Sequence, residues 1–157
     1  MSYSEKFLRE AIRLSREKME AGEGGPFGAV VVKDQKIIGR GWNRVTSAND
    51  PTAHAEVEAI RNACTELGTF SLEGCELYAS CEPCPMCLAA IYWARIDALY
   101  FAATRNDAAD AGFDDALLYD EIPKPWNART LFTKTDLRPE AQRVFDAWKQ
   151  KGDRTPY

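Results

Sequence analysis

Three of the five cysteines in this 157-residue chain lie close together, at Cys81, Cys84 and Cys87 in the stretch SCEPCPMC. Two thiolates three positions apart lie on one face of a helix and can bind the same metal ion. Pro85 favours a helix that begins directly after Cys84, because proline is well tolerated at the first helical position. The cysteines therefore predict a metal site at the N-terminus of a helix.

The single histidine of the chain, His54, stands two residues before Glu56 in the stretch TAHAE. On a regular helix such residues point about 200° apart, so both can face one ligand only at the first turn. Asp50 and Pro51 predict a helix start immediately upstream, which places the pair there. One imidazole and two thiolates at these spacings favour Zn²⁺.

Cys81 leaves two interpretations open. If Cys81 also binds the metal, the site is a closed Cys₃His site, and the chain is a binding module stabilised by zinc, without turnover. If Cys81 does not bind, the metal keeps a position for water and Glu56 can act on that water as general base. The closed site gives Glu56 no task and leaves the His-x-Glu spacing unexplained. The spacing therefore favours an enzyme, with Cys81 as a packed thiol beside the site.

Composition and charge narrow the class of protein. Hydrophobic residues make up 45% and charged residues 28% of the chain, which is typical of soluble globular domains. The charged N-terminal stretch lacks a signal peptide core, and no 18-residue apolar run predicts a membrane span. We therefore expect one cytoplasmic domain over residues 1–157, with reduced cysteines. A net charge of −4 without a basic block argues against a nucleic-acid partner.

Helical and strand patterns alternate along the chain, which predicts a layered α/β sandwich. A capping box is expected from Ser2 to Glu5. The helix that follows Asp50 should bury one apolar stripe, the helix after Pro85 should be buried on most sides, and the last helix should turn three apolar residues inward. The predicted helices are 4–20, one from Pro51 with the stripe Val57, Ile60, Cys64 and Leu67, 86–96, and 139–151 with Val144, Phe145 and Trp148 inward. The predicted strands are 27–33, 37–43, 75–80, 98–103, apolar on both faces, and 130–134.

The metal motif carries a resemblance to a known family. The order His54-x-Glu56, then Pro83-Cys84-x-x-Cys87, is the signature of zinc-dependent nucleobase deaminases. The chain resembles the cytidine-deaminase-like superfamily and, within it, the short bacterial guanine deaminases. The resemblance extends from about residue 7 to residue 119, and the stretches GGPFGAVVVKD, NDPTAHAEVEAIR, SCEPCPMCLAAIYWAR and DAADAGFDD carry it.

The resemblance implies a three-layer α/β/α sandwich with a central five-stranded mixed sheet. It also implies one Zn²⁺ per subunit, held by His54, Cys84 and Cys87, and hydrolysis of guanine to xanthine and ammonia. Glu56 would move protons between water and the base, and Asp115 would serve the departing amine. Asp114 stands beside Asp115, so the choice between these two acids stays open.

Substrate contacts and assembly follow from the resemblance as well. The substrate-binding residues would be Phe27, Asn43, Ala55, Trp93 and Tyr157. A tail over about residues 150–157 would close the site, and the family form is a homodimer with exchanged C-terminal parts. Other aminated substrates remain alternatives at this point, namely guanosine, ammeline, cytosine and the adenosine of a tRNA anticodon loop.

Overall fold

The computed structural model describes residues 3–157, which divide into two compact units with the boundary in the chain after Asp115. Ser2, the predicted partner of the capping box, lies outside the described residues. The first unit contains α1 (Glu5–Glu20), β1 (Gly28–Lys33), β2 (Lys36–Trp42), α2 (Val45–Ala48), α3 (Ala55–Leu67), β3 (Glu76–Cys81), α4 (Pro85–Trp93), β4 (Ala98–Ala103) and α5 (Arg105–Asp110). The second unit contains α6 (Ala116–Glu121), a 3₁₀ turn (Trp126–Ala128) and α7 (Arg138–Gln150).

The sheet of the first unit is mixed and has the strand order β2-β1-β3-β4. β1 runs antiparallel to β2 and to β3, whereas β3 runs parallel to β4. The predicted mixed α/β architecture is confirmed, but the count of five strands is wrong, because the described residues form four. The expected fifth strand at 130–134 is absent there. The Thr130 N–H instead donates to the Glu121 carboxylate over 2.7 Å, which holds this stretch against α6.

Alternate residues of the two central strands face opposite layers of helices, as the pleat of a strand requires. One face packs with α3 and α4 and the other with α1, so the sheet has a hydrophobic core on each side. The buried residues of the first core include Ala29, Val31, Leu77, Ala79, Ala59, Ala63 and Ile91. Those of the second core are Phe7, Leu14, Val30, Val32 and Tyr78.

α3 lies unusually close to β2 because β2 carries Gly39 and Gly41. A Cβ on Gly41 would lie 2.1 Å from the carbonyl oxygen of Ala55, so no larger residue fits there without moving the helix. The close approach buries the alanines of α3 completely, including Ala59 and Ala63. The predicted stripe Val57, Ile60, Cys64 and Leu67 is only partly buried, because the small residues form the contact face instead.

The apolar helix α4 is more exposed than its composition suggests. Only Cys87 and Ile91 are buried, whereas Tyr92 is 76% and Trp93 is 65% exposed. The prediction of a helix buried on most sides is therefore wrong, since one face of α4 meets the sheet. β4 was predicted to be covered on both faces, but it lies at the edge of the sheet and Phe101 is 42% exposed.

The second unit contains no buried residue among 116–157. The expected inward residues of α7, Val144, Phe145 and Trp148, are all exposed. These three residues form an apolar face at helical spacing, so the predicted helix is confirmed, but the predicted burial of the face is wrong. No helix in the described part of the chain is both long enough and apolar enough to cross a bilayer.

Candidate metal centre and active site

The start of α3 places His54 and Glu56 at the first helical turn. His54 is the N-cap residue with an extended backbone, and Glu56 is the second residue of the helix. The helix does not begin at Asp50 as predicted, because the Asp50 carboxylate accepts from the N–H and the hydroxyl of Thr52 and forms a turn. His54 and Glu56 nevertheless lie at the first turn of a helix, as predicted, so both side chains can face the same site.

The start of α4 places the two cysteines in the same way. Cys84 is the N-cap residue, Pro85 occupies the first helical position, and Cys87 is fully buried one turn further on. The N–H groups at a helix N-terminus carry a partial positive charge that stabilises thiolates. Two helix N-termini therefore supply the donor atoms of one site.

The three donor atoms are close enough to bind one ion. His54 Nδ1 lies 3.6 Å from Cys84 Sγ and 3.5 Å from Cys87 Sγ, and all three atoms are within 4.8 Å of one another. Two donors on one tetrahedral zinc ion, with bonds of about 2.0 and 2.3 Å, lie roughly 3.5 to 3.8 Å apart. Among the described residues, this is the group that fits a metal ion.

The protonation of the cysteines agrees with a cation site. The hydrogen bond from Cys87 lowers the pKa of Cys84 to about 4, and the same bond together with burial raises the pKa of Cys87. The Cys84 sulfur is therefore a thiolate that accepts a hydrogen bond from the Cys87 thiol. A divalent cation would take the place of the Cys87 proton, and a neutral imidazole with two thiolates is a donor set that suits Zn²⁺.

The Glu56 side chain lies beside this group rather than in solvent. The residue is 8% exposed, and burial raises the pKa of its carboxyl above the ordinary value. A carboxyl held beside such a group can accept a proton from a bound molecule and return it. The geometry therefore places a proton-transfer group next to three potential metal ligands.

Cys81 stands apart from the metal-binding group of His54, Cys84 and Cys87. Its Sγ lies 3.5 Å from the carbonyl oxygen of Thr104, to which the thiol donates. Burial raises the pKa of Cys81 to about 11, so the residue stays a neutral thiol. Its geometry matches the packed thiol of the open-site interpretation.

Replacing Cys81 by alanine should therefore leave the metal in place. We expect Cys81→Ala to bind one zinc per chain and to keep its activity within about threefold. The lost contact with Thr104 should destabilise the fold by only about 1 kcal/mol. Metal analysis of the purified variant, together with its melting temperature, tests this. Loss of zinc would show that Cys81 is a ligand and that the site is closed.

The predicted substrate residues Phe27 and Asn43 are joined through the backbone. The Asn43 N–H donates to the Phe27 carbonyl over 3.0 Å, and the next N–H, from Arg44, donates to the carbonyl of Ala53 over 2.9 Å. Ala53 directly precedes His54. The two residues that follow β2 thus connect the loop before β1 to the turn that precedes His54.

The Asn43 side chain has a fixed orientation. Its Oδ1 accepts from the N–H groups of Gly25 and Val45, at 3.1 and 3.2 Å. Since both partners are donors, the oxygen must face them, and the Nδ2 group makes no hydrogen bond within the described residues. Asn43 is 8% exposed. It therefore presents a donor, and no acceptor, to anything bound beside it.

Three supporting features were not predicted from the sequence. A Cβ on Gly24 would lie 2.1 Å from the Asn43 carbonyl oxygen, so this glycine lets the loop approach Asn43. Ion pairs also hold the turn before α3, because Glu58 pairs with Arg44 at 3.7 Å and Arg61 pairs with Asp50 at 3.8 Å. The two glycines of the strand stretch GRG, which permit the contact with α3, were a visible signal, because glycine in a strand often marks a close backbone approach.

The remaining predicted residues have varied surroundings. Ala55 is buried between His54 and Glu56. Asp115 ends the first unit and is partly buried, and this burial raises the pKa of its carboxyl. Trp93 is an exposed residue at the last turn of α4, which corrects the expectation that it packs inside a buried helix. Tyr157 is exposed and belongs to the second unit.

The sequence and structure have close counterparts among known proteins. A guanine deaminase of Bacillus subtilis is 54% identical over 153 residues, which are 98% of each chain. The X-ray structure of guanine deaminase from the same organism superimposes with a TM-score of 0.95 and covers 99% of both chains. A tRNA-specific adenosine deaminase of Aquifex aeolicus is 48% identical over 99 residues, which are 63% of this chain and 65% of that one.

The motif order, the metal-binding geometry and the relatives agree with a family match. Residues 1–103 match the family model of the cytidine and deoxycytidylate deaminase zinc-binding region. This segment contains His54, Cys84 and Cys87, the group that fits a metal ion, and it also contains Glu56. The chain is therefore a member of the cytidine and deoxycytidylate deaminase family.

Proposed function

We propose that this chain is a zinc-dependent guanine deaminase, which hydrolyses guanine to xanthine and ammonia. One observation carries the proposal: a His54, Cys84 and Cys87 group beside a buried Glu56, in a chain similar over nearly its whole length to a guanine deaminase. The tRNA deaminases match a shorter stretch of this chain. The small base guanine is therefore the favoured substrate.

His54, Cys84 and Cys87 hold the zinc ion in this proposal. When bound, zinc supplies a Lewis acid that lowers the pKa of a water molecule and so helps to create a nucleophile. One neutral imidazole and two thiolates leave a zinc centre with no net charge, so the cation alone ionises water incompletely. A protein base is needed as well, and Glu56 is the buried carboxylate beside the site.

Glu56 moves protons between the attacking water and the base. Its carboxylate takes one proton from water as the oxygen forms a bond to C2 of guanine, the carbon that bears the amine. Glu56 returns that proton to the neighbouring ring nitrogen. The second water proton goes to the amine, the C–N bond breaks, ammonia leaves and a carbonyl remains. Asp115, whose pKa burial also raises, is the proposed relay for this second proton, which it takes from the attacking oxygen and passes to the leaving amine.

Phe27 and Asn43 orient the base. The ring of Phe27 offers a flat surface for stacking, and the free Nδ2 group of Asn43 donates to an acceptor on the purine edge. The fixed amide makes this contact selective, because an amino group in the same place would meet another donor. Ala55, buried between two site residues, lines the same pocket in this proposal.

The donor-only contact of Asn43 can be tested with an isosteric change. Asn43→Asp keeps one side-chain oxygen for the N–H groups of Gly25 and Val45, but it replaces the donor by a second acceptor. We expect kcat/KM for guanine to fall at least about 100-fold, because a buried acceptor would then face an acceptor of the substrate. Steady-state kinetics with a melting curve measure both effects. An unchanged kcat/KM in a folded variant would reject the contact.

The active form is proposed to be a homodimer with exchanged C-terminal parts. Two features support this: β4 is an edge strand with an exposed Phe101, and α7 carries an exposed apolar face that includes Phe145 and Trp148. Proteins normally cover such edges and faces. The tail over 150–157, with Tyr157, would then close the site of the second copy.

Light scattering tests the assembly and should give the mass of a dimer. Phe145→Lys should shift the measured mass towards that of the monomer. A monomeric wild-type protein would reject the exchange.

The substrate itself is tested by ammonia release. Zinc-loaded protein is offered guanine, guanosine, adenine, cytosine, ammeline and an anticodon stem-loop RNA with a wobble adenosine. We expect the highest kcat/KM with guanine and the lowest with the RNA. Faster release from adenine, cytosine or the RNA would overturn the proposal.

Because two ligands must remain thiolates, we also expect the enzyme to work in a reducing compartment such as the cytoplasm.

A further inference from the structure

The chain turns back sharply after α5 and brings Phe113 onto the loop before β1. The turn is a glycine C-cap: Gly112 has a φ of +94°, and the Phe113 N–H donates to the carbonyl of Ala108 over 2.9 Å. This arrangement commonly ends a helix and directs the next apolar residue against the protein. Phe113 is thus held by its backbone, although 44% of its surface is exposed.

The Phe113 ring meets the ring of Phe27 in an edge-to-face contact. The ring centroids are 5.0 Å apart and the ring planes are inclined by 86°. Gly25 lies against both rings, since a Cβ there would be 3.4 Å from a carbon of each. Edge-to-face pairs are favourable beyond their buried area, and they fix the relative orientation of the two rings.

Other constraints on the Phe27 ring are incomplete. Phe27 packs partly against the first core, but the rings of Phe27 and Phe113 also line a cavity of about 330 Å³. Ser80 and Cys81, at the end of β3, lie on the same cavity. A ring beside empty space can rotate or shift more easily than a ring in a close-packed core. The contact with Phe113 is therefore a main restraint on the orientation of Phe27.

We propose that Phe113 is a positioning residue that holds the ring of Phe27 in the orientation required to stack on the purine. This inference rests on the proposed function, in which Phe27 stacks on guanine. Phe113 acts through Phe27, so its loss should weaken substrate binding and leave the proton-transfer groups in place. The effect should accordingly appear in KM and not in kcat.

A double-mutant cycle tests the proposal. We expect Phe113→Leu to raise the KM for guanine about 2- to 10-fold, which corresponds to the strength of an edge-to-face pair, with kcat within about twofold of wild type. Phe113→Tyr keeps the ring and should restore the wild-type KM. In Phe27→Leu protein, the further change Phe113→Leu should have no additional effect on KM. Phe70→Leu, at an exposed phenylalanine beyond the opposite end of α3, is the matched control.

Three results would overturn the inference: a wild-type KM in Phe113→Leu, independent effects of the two changes in the double variant, or a fall in kcat at constant KM. Circular dichroism melting verifies that each variant is folded, and Phe113→Met, which also lacks a ring, replaces the leucine variant if that protein is unstable. Wild-type protein is assayed first. If zinc-loaded wild type releases no ammonia from guanine, the proposed function fails; if wild type is active and Phe113→Leu matches it, only the inference about Phe113 fails.

Discussion

Glu56→Gln should retain one zinc per chain and lose at least about 100-fold in kcat for ammonia release. Glutamine has nearly the shape of glutamate, but its amide cannot accept a proton from water and return it to the ring nitrogen. The proposed zinc ligands His54, Cys84 and Cys87 are not altered by the change. Metal analysis and steady-state kinetics on guanine measure the two quantities separately.

Glu66→Gln is the matched control, because Glu66 lies on the same helix and is exposed near its other end. It should keep wild-type activity.

The pH dependence of the reaction tests the same carboxylate. Burial raises the pKa of Glu56 above the ordinary value of about 4.3. Its ionised, proton-accepting form is therefore lost as the pH falls through the pKa of this carboxyl. In wild type, kcat/KM should therefore fall on the acid side, as this carboxylate becomes protonated. Unchanged turnover in Glu56→Gln would reject the proposed role of this carboxylate.

Removal of zinc should abolish activity and lower stability together. A ligand present at about 1,000 times its dissociation constant stabilises a fold by about 4 kcal/mol, and a loss of that size lowers the melting temperature of a protein of this length by roughly 8 to 16 °C. Chelator-treated protein should show both losses, and added Zn²⁺ should reverse them. Calorimetry and an ammonia assay on the same samples provide the measurement.

Single substitutions locate the effect in the proposed ligand group. Cys87→Ser should bind less than about a tenth of the wild-type zinc, because a serine hydroxyl does not ionise at neutral pH as a thiol next to a metal does. Cys64→Ser, at a partly buried cysteine outside the metal-binding group, should keep its zinc. Full activity in metal-free protein, or full zinc content in Cys87→Ser, would contradict the proposed centre.

The metal-binding group could be predicted from the sequence because its geometry is local. His54 and Glu56 need only a helix start, and Cys84 and Cys87 need only another. The actual start of α3 lies several residues after Asp50, yet the prediction tolerated this error, because both residues still fall at the first turn. Spacing within one turn is a property that the sequence displays directly.

Burial was harder to predict, because it depends on what lies opposite. α4 has an apolar residue at almost every position, but only the face with Cys87 and Ile91 is buried. The face of α7 with Phe145 shows the same limit, since its periodicity indicates a helix without indicating what covers it. A strand at 130–134 required a neighbouring strand, and none of the strands in the described part of the chain pairs with that stretch.

The supporting contacts were hidden for a different reason. The close approach of Gly41 to α3 and the contact between Phe113 and Phe27 join residues far apart in the chain. Glycines in a strand indicate a close approach, but residue types alone do not show which residues meet. The orientation of the Asn43 amide likewise follows from two backbone N–H groups, which only the folded loop brings together.

Hydrolysis in isotopically labelled water tests the central claim most directly. Zinc-loaded protein is incubated with guanine in H₂¹⁸O. The xanthine is then analysed by mass spectrometry, and the amount of ammonia released is measured in parallel. The proposed reaction predicts one ¹⁸O atom in each xanthine formed and one ammonia released with it. Guanine recovered unchanged from the zinc-loaded protein, or xanthine formed without the label, would contradict the account.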